Sequence, residues 1–388
     1  MPFENSPGLG VPVSLIRAGT SKGVFVDAQH VPTAPAERDA FLLRLMGSPD
    51  PMQLDGLGGT HSSTSKVMIV TPSQDPACDV EYTFAQIGVD KRTVDVAGNC
   101  GNLTPGVALF AASRGWCDLV EPVTEVRLRN VNTGRSVEVA VPVEAEAPRT
   151  TGDVRNDGVP GTGPGFLIRF LDPAGAVTGR VLPTRHLVDQ VRVSPDLPAL
   201  QVTLVDVSGP TMFARLGDVI AEPHPVSPEV INGDPRLLIL LEQIRGAGAT
   251  LLGLADDAES AAAQSPALPR LALIRNPDPA PGNGRPDISV VTISGQRAHH
   301  ACPLTVAQAT AVAALLRGSI PGDLSSPRLR TAAVEVDDIV QIAHPKGIVD
   351  ITVHLDRRDG PEPRVRSVSY ERTARVLLDG VAYVPWPS

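Results

Sequence analysis

Apolar and polar positions alternate with two different periods along this chain, and the change of period marks its elements. Val11–Ile16 alternates after Pro12 as a strand does. A short apolar run, Val24-Phe25-Val26, reads as a second strand. Pro35–Met46 carries Phe41, Leu42 and Leu45 on one helical face, with Gly47 as its stop. Val67–Val70 is fully apolar, and Asp79–Val89 is further strand material. Val107–Trp116 is apolar all round and predicts a buried helix. Val126–Val141 predicts a hairpin around Asn132-Thr133-Gly134. Glu146–Gly165, rich in Gly, Pro, Thr and Asp, predicts a surface loop, and Phe166–Phe170 a strand.

The second half repeats the scheme. Val202–Val207 predicts a strand, and Asp234-Pro235 caps a helix over Arg236–Arg245. Gly246-Ala247-Gly248 follows a helix rather than a strand, so it is not a dinucleotide fingerprint. Leu271–Arg275 and Ile288–Ile293 predict strands around a Pro/Gly loop, Asn276–Pro286. An Ala-rich helix follows over Val306–Arg317, with Thr305 and Gln308 as a capping box and Gly318 as its stop. Ile348–Leu355, Val365–Tyr370 and Val376–Val384 finish the chain as strands. Strand, Gly-bearing turn, cysteine and buried helix thus occur once in each half, at Cys100 and at Cys302. That recurrence predicts an internal duplication, each half a sheet wrapped around one helix. The special turns are then candidates for the two walls of a cleft.

Composition narrows the functional classes. Two domains suit a length of 388 residues. The hydrophobic fraction is 42% but aromatics are only 3%, so the core is built from Val, Leu, Ile and Ala. A net charge of −9, with no block of Lys or Arg, argues against nucleic acid and acidic membranes as partners. The four cysteines show no C-x-x-C spacing, so neither a zinc site nor a disulfide framework is expected. No apolar run approaches the roughly 20 residues that span a bilayer. The first ten residues lack a signal-peptide pattern, so a cytoplasmic chain with free thiols is expected.

Three stretches carry candidate chemistry. Arg17-Ala-Gly-Thr-Ser-Lys-Gly23 joins two strands with Arg17, Thr20, Ser21 and Lys22, a clamp suited to a carboxylate, though an ordinary solvated turn would use the same residues. In Gly58–Lys66 a P-loop reading fails, because Lys66 follows Ser65 rather than a glycine. The informative feature is Lys66 at the mouth of an apolar strand. Desolvation there would turn it into a base usable near neutral pH, whereas snorkelling to water would leave it ordinary. In Val94–Leu103, Cys100 stands between Gly-Asn pairs ahead of a helix. Backbone N–H groups at the helix start would favour an anion, with Asn99, Gly101 and Asn102 as the candidates to hold it, and a buried inert cysteine is the alternative. The second-half turn adds Ser294, Arg297, His299 and Cys302. Adjacent His299 and His300 point to opposite faces of an extended chain and do not jointly chelate a metal. What remains is thiol and amine acid/base chemistry, without metal or cofactor. Arg17, Lys22 and Arg297 suit a small polycarboxylate.

Arg17–Gly23, Gly58-Gly-Thr-His-Ser-Ser-Thr-Ser-Lys66-Val67 and Gly98-Asn-Cys-Gly-Asn-Leu103 resemble the PrpF family, which includes 2-methylaconitate cis-trans isomerase, 4-oxalomesaconate tautomerase and methylitaconate isomerase. His299-His300-Ala301, His344-Pro345-x-Gly347 and Arg372-Thr-Ala-Arg375 extend the resemblance over nearly the whole chain. It implies a mixed α/β (α+β) fold of the diaminopimelate epimerase type: two pseudo-repeated domains, each a mostly antiparallel sheet rolled around a central helix. The expected divisions are 1–187 with 376–388, and 188–375, the last strand returning to the first domain. The resemblance further implies cofactor-independent proton transfer in an unsaturated di- or tricarboxylate, with Lys66 and Cys100 as the catalytic pair. Ser62-Ser63 before Thr64 is similar to the methylaconitate branch. Cys302 stands where other members carry methionine, and Lys346 replaces the serine of H-P-S-G. Two other readings stay open: a non-catalytic accessory protein of an aconitase-like iron–sulfur dehydratase, and an amino-acid epimerase using Cys100 with Cys302. The oligomeric state is open as well, a homodimer included.

Overall fold

The computed structural model describes residues 8–96, 100–193, 198–220, 226–277, 286–294, 296–330, 335–356 and 363–385. The chain divides into two units: Met1–Leu171 with Glu371–Ser388, and Asp172–Tyr370.

In chain order the first unit holds β1 (Gly8–Ala18), β2 (Ser21–Asp27), α1 (Pro35–Met46), β3 (Lys66–Pro72), β4 (Val80–Ile87), β5 (Val94–Asp95), α2 (Thr104–Ser113), β6 (Val123–Asn130), β7 (Ser136–Glu144), β8 (Ala147–Pro148) and β9 (Gly165–Leu171). The second holds β10 (Asp189–Val191), β11 (Leu200–Asp206), β12 (Pro210–Arg215), α3 (Leu216–Val219), α4 (Pro228–Gly233), α5 (Pro235–Leu251), α6 (Ala261–Gln264), β13 (Arg270–Arg275), β14 (Ile288–Ser294), β15 (Arg297–Ala298), α7 (Leu304–Ala314), α8 (Ile320–Leu324), α9 (Pro327–Arg330), β16 (Glu335–His344) and β17 (Gly347–Asp356). The last strand, β18 (Arg364–Pro385), is shared: Arg364–Ser369 pairs with β17 and Ala374–Pro385 with β1.

The first sheet starts as an antiparallel hairpin, β1–β2. A helical crossover through α1 makes β3 parallel to β2. β4 returns antiparallel, and a second crossover through α2 brings β6 in parallel to β4. β7 and β9 follow antiparallel, and β18 pairs with both β9 and β1, closing the sheet into a barrel. Helix α2 is buried from Thr104 to Ala112 and packs against β1, β3, β4, β7 and β9, as expected of a helix with no polar face. Helix α1 covers the opposite face. Its Phe41, Leu42, Leu45 and Met46 meet Val24, Val26, Val67 and Ile69.

The second unit repeats this connectivity strand for strand. β11–β12 is an antiparallel hairpin, β13 is parallel to β12, β14 is antiparallel to β13, and β16 is parallel to β14. β17 and β18 complete it antiparallel. Helix α5 stands where α1 does and α7 where α2 does. Every α7 residue except Thr305 is buried, and Leu241 and Ile244 of α5 pack on Leu271 and Leu273. The duplication expected from the recurring turn is therefore carried by the whole order of pairing.

Three details differ from the sequence-based expectations. Helix α7 begins at Leu304 after Pro303 and has no side-chain cap, so Thr305 and Gln308 do not form a capping box. Thr305 lies inside the first turn, where a side chain cannot fill the N-cap role. Helix α5 runs on past Gly246 and Gly248 to Leu251, because those glycines admit close neighbours: a Cβ on Gly248 would stand 2.5 Å from Met212 Sδ. The two final strands are one strand of 22 residues.

The loop after α1 is docked on its end. Leu57 and Gly58 donate backbone N–H to the Leu45 and Met46 carbonyls, occupying acceptors the helix leaves free. Gly56 has no room for a side chain, since a Cβ would lie 2.1 Å from Gly47 N. Gly56→Ala is expected to destabilise the protein by about 2–3 kcal/mol, because backbone on both sides must move. A lowered urea midpoint with an unchanged slope would show it.

Candidate active site

Three separated stretches meet at one end of the first unit. The β1–β2 turn is tight, with Gly19 at φ +50°, and Gly19 N donates to Thr373 O. A Cβ on Gly19 would fall 2.4 Å from Asn102 Oδ1, and Asn102 Nδ2 donates to Thr20 Oγ1 at 3.3 Å. On the next strand, a Cβ on Gly23 would meet Leu103 Cδ1 at 2.8 Å and Lys66 O at 3.0 Å. Lys22 N donates to Ser63 O. The first hairpin thus touches both the turn that carries Cys100 and the loop that delivers Lys66, and the missing side chains of Gly19 and Gly23 permit the approach.

Lys66 opens β3 and is partly buried. Its Nζ donates to Gln86 Oε1 at 2.5 Å and lies 5.0 Å from the centre of the Phe84 ring. No carboxylate lies within ion-pair reach of it among the described residues. Gln86 in turn donates through Nε2 to the carbonyls of Ser62 and Ser65. One neutral side chain therefore holds both the amine and the loop behind it.

Cys100 is buried, four residues before α2. Its carbonyl accepts from Leu103 N and from Thr104 Oγ1, which pins the turn to the helix start. Gly101 and Asn102 are half-buried. Asn99 lies outside the described residues. Two other thiols are set apart by their surroundings. Burial pushes the Cys78 thiol up. Burial, then Asp79 and Asp118, push Cys117 up to about 11. Both line a polar cleft with Asp75, Asp79 and Trp116. At pH 8 only about 10⁻³ of Cys117 is thiolate, so its alkylation by iodoacetamide is expected to be slow. The rate should rise about tenfold per pH unit until roughly pH 11, which peptide mass spectrometry can follow site by site.

The other candidates divide. Ser21 is buried at the hairpin turn. The Ser65 hydroxyl is fully buried and accepts from Gln53 Nε2 at 2.8 Å, which gives it a part in fixing the loop. Arg17 donates to Thr373 O at 2.5 Å and to Thr373 Oγ1 at 2.7 Å. Burial, then the neighbouring Arg375, lower its pKa. Arg375, Arg17 and Lys22 are direct cross-strand partners in β18, β1 and β2. Like charges so placed repel, and the row has no carboxylate partner among the described residues. In the second unit, Ser294 ends β14, Arg297 is exposed, and Thr292 Oγ1 approaches Cys302 Sγ at 3.8 Å. His299 turns Nδ1 toward Ala301 O, while His300 pairs with Glu229 at 3.2 Å. No group of three or more His, Cys, Asp or Glu that could hold a metal ion occurs among the described residues. No helix of the described residues is long and apolar enough to cross a membrane.

Sequence reasoning missed the amides that assemble this end of the barrel. Buried Gln53, at φ +44°, accepts from Thr60 N and donates to Ser48 and Ser65. Asn132 binds Phe84 N and O and also Val96 O, at the approach to Cys100. Asn156 accepts from Thr373 N and Oγ1, behind Arg17. The only signal was a Gln or Asn in an otherwise apolar or turn context, and its partners are 5 to 217 residues away.

A family model described as PrpF protein matches residues 9–385. The chain is 38% identical to 3-methylitaconate isomerase of Eubacterium barkeri over 387 residues, 98% of each chain. It is 35% identical to 2-methyl-aconitate isomerase of Shewanella oneidensis over 402 aligned residues, again 98% of each. A crystal structure of methylitaconate-delta-isomerase superposes with a TM-score of 0.83 at 35% identity, covering 98% of this chain and 97% of that one.

Proposed function

The chain belongs to the PrpF family, and from that premise we propose that it is a cofactor-independent isomerase of an unsaturated di- or tricarboxylate. The observation that carries the reading is the first hairpin, whose glycines bring Lys66 and the Cys100 turn to one end of one barrel. In the proposed reaction, Lys66 Nζ takes a proton from the carbon allylic to the alkene. The C–H electron pair spreads into a dienolate. Its carboxylate accepts hydrogen bonds from backbone N–H groups at Gly101 and Asn102, where negative charge grows in the transition state. A proton then returns at the other allylic carbon, from Lys66 or from the Cys100 thiol, and the double bond has moved. Rotation about the intermediate's single bond before that return gives a cis-trans product instead. Gln86 orients the amine and Phe84 forms an apolar wall beside it. Relatives named for methylitaconate and for methyl-aconitate both align end to end, so the reading rests on a shared reaction class rather than one substrate. All four thiols are free, which suits a reducing cytoplasm.

Proton NMR in D₂O tests this directly. The protein is mixed separately with 2-methylaconitate, cis- and trans-aconitate, 4-oxalomesaconate and a methylitaconate. Loss of an allylic or vinylic signal with growth of an isomer is expected for at least one. A folded protein that exchanges no proton in any of them would overturn the proposal.

A further inference from the structure

The repeat places a second cation where the first unit has its lysine. Lys66 is the first residue of β3, the crossover strand parallel to β2. Arg270 is the first residue of β13, the crossover strand parallel to β12. Leu271 pairs with Ile293, so Arg270 stands level with Ser294, as Lys66 stands level with Gln86. Leu271 and Leu273 face α5, and the alternation of a strand turns Arg270 the other way.

The surroundings of Arg270 lack the anion that its charge calls for. No carboxylate lies within ion-pair reach among the described residues, and burial alone lowers its pKa. Its residue surface nevertheless stays partly open. Its parallel-ladder neighbour Thr211 is fully buried, and Thr211 Oγ1 has no hydrogen-bond partner among the described residues. Nη1 lies over Gly209, 3.5 Å from where a Cβ would be, and Gly209 has φ +134°, so this floor is kept bare. The same unit satisfies an arginine with a structural task quite differently. Arg245 pairs with Glu242 at 2.6 Å and donates to the carbonyls of Ser265 and Leu268. An unpaired, half-buried cation is costly, and an orphaned buried hydroxyl at the paired position of the next strand adds to the cost. Together they describe a half-made anion site.

We propose that Arg270, with the Thr211 hydroxyl, binds a carboxylate group in the second unit. The duplicated position that carries an amine in one half carries an anion-binding guanidinium in the other. Carboxylate, rather than another anion, is chosen on the strength of the functional reading above.

The probe is propane-1,2,3-tricarboxylate, a saturated acid with no alkene to isomerise, titrated calorimetrically into the full chain. Arg270→Gln is expected to weaken binding about 30-fold or more, Arg270→Lys about 5- to 10-fold because the charge stays and the fork is lost, and Thr211→Val about 3-fold. Without ligand, Arg270→Gln is expected to melt no lower than the native protein, since no native partner is removed. Unchanged affinity in Arg270→Gln, or no binding to the native protein, would overturn the proposal. Binding needs no turnover, so an inactive protein that still loses the probe with Arg270→Gln would overturn the isomerase reading alone. A raised KM in Arg270→Gln assigns the carboxylate to the substrate. An unchanged KM with lost probe binding assigns it to a separate carboxylate ligand. Either result supports the site.

Discussion

Lys66→Met is expected to lower turnover by about 10⁴-fold while the protein stays folded, because it removes the only base proposed for the first proton transfer. Methionine matches the length of the side chain but offers no lone pair for a carbon acid. The structural cost is small. Lys66 is partly exposed, it pairs with a neutral amide rather than a carboxylate, and Gln86 keeps its two bonds to the Ser62 and Ser65 carbonyls. About 1 kcal/mol of stability is at stake, the ordinary worth of one hydrogen bond. The measurement pairs the NMR assay with a urea melt. Full activity in a folded Lys66→Met protein would remove Lys66 from the mechanism.

Cys100→Ala is expected to lower turnover by about 10²-fold, the smaller loss reflecting a role in returning the proton rather than taking it. The Cys100 carbonyl, which pins Leu103 and Thr104, survives the substitution, so the turn is retained. The isotope pattern separates two routes. If the thiol returns the proton, the product formed in D₂O carries deuterium throughout, since the thiol has exchanged with solvent. If Lys66 does both jobs, the substrate's own proton is one of three on the ammonium, and roughly a third of early product retains it. Complete deuteration in the native protein with partial retention in Cys100→Ala would place Cys100 as the acid. Identical patterns and rates in both would leave the cysteine a packing residue.

Much of this arrangement was legible in the linear order of residues. The apolar stretch from Val107 and the Ala-rich one from Val306 predicted buried helices, and the structure seats α2 and α7 inside their sheets. Asp234-Pro235 predicted a helix start, and Asp234 accepts from the N–H groups of Arg236 and Leu237. The expected capping box at Thr305 failed because Pro303 already takes the N-cap position, two residues earlier.

The sequence alone determined most of the long elements, their two periods, the recurrence of strand, turn and helix, and the residues able to do chemistry. These are local matters, settled by side-chain patterning and turn chemistry within a few positions. Tertiary structure decided which of those residues meet. Gly19 touches Asn102 and Gly23 touches Leu103 across 80 or more positions, and Lys66 reaches Gln86 across twenty. Tertiary structure also decided which cations keep a carboxylate and which do not. Arg245 has Glu242 one helical turn away, a spacing visible in the sequence, whereas Arg17, Lys22 and Arg375 are set side by side only by strand register. The equivalence of Arg270 with Lys66 likewise follows from two matching parallel ladders. Pairing between strands far apart in the chain is a property of the closed sheet as a whole, and no window of sequence contains it.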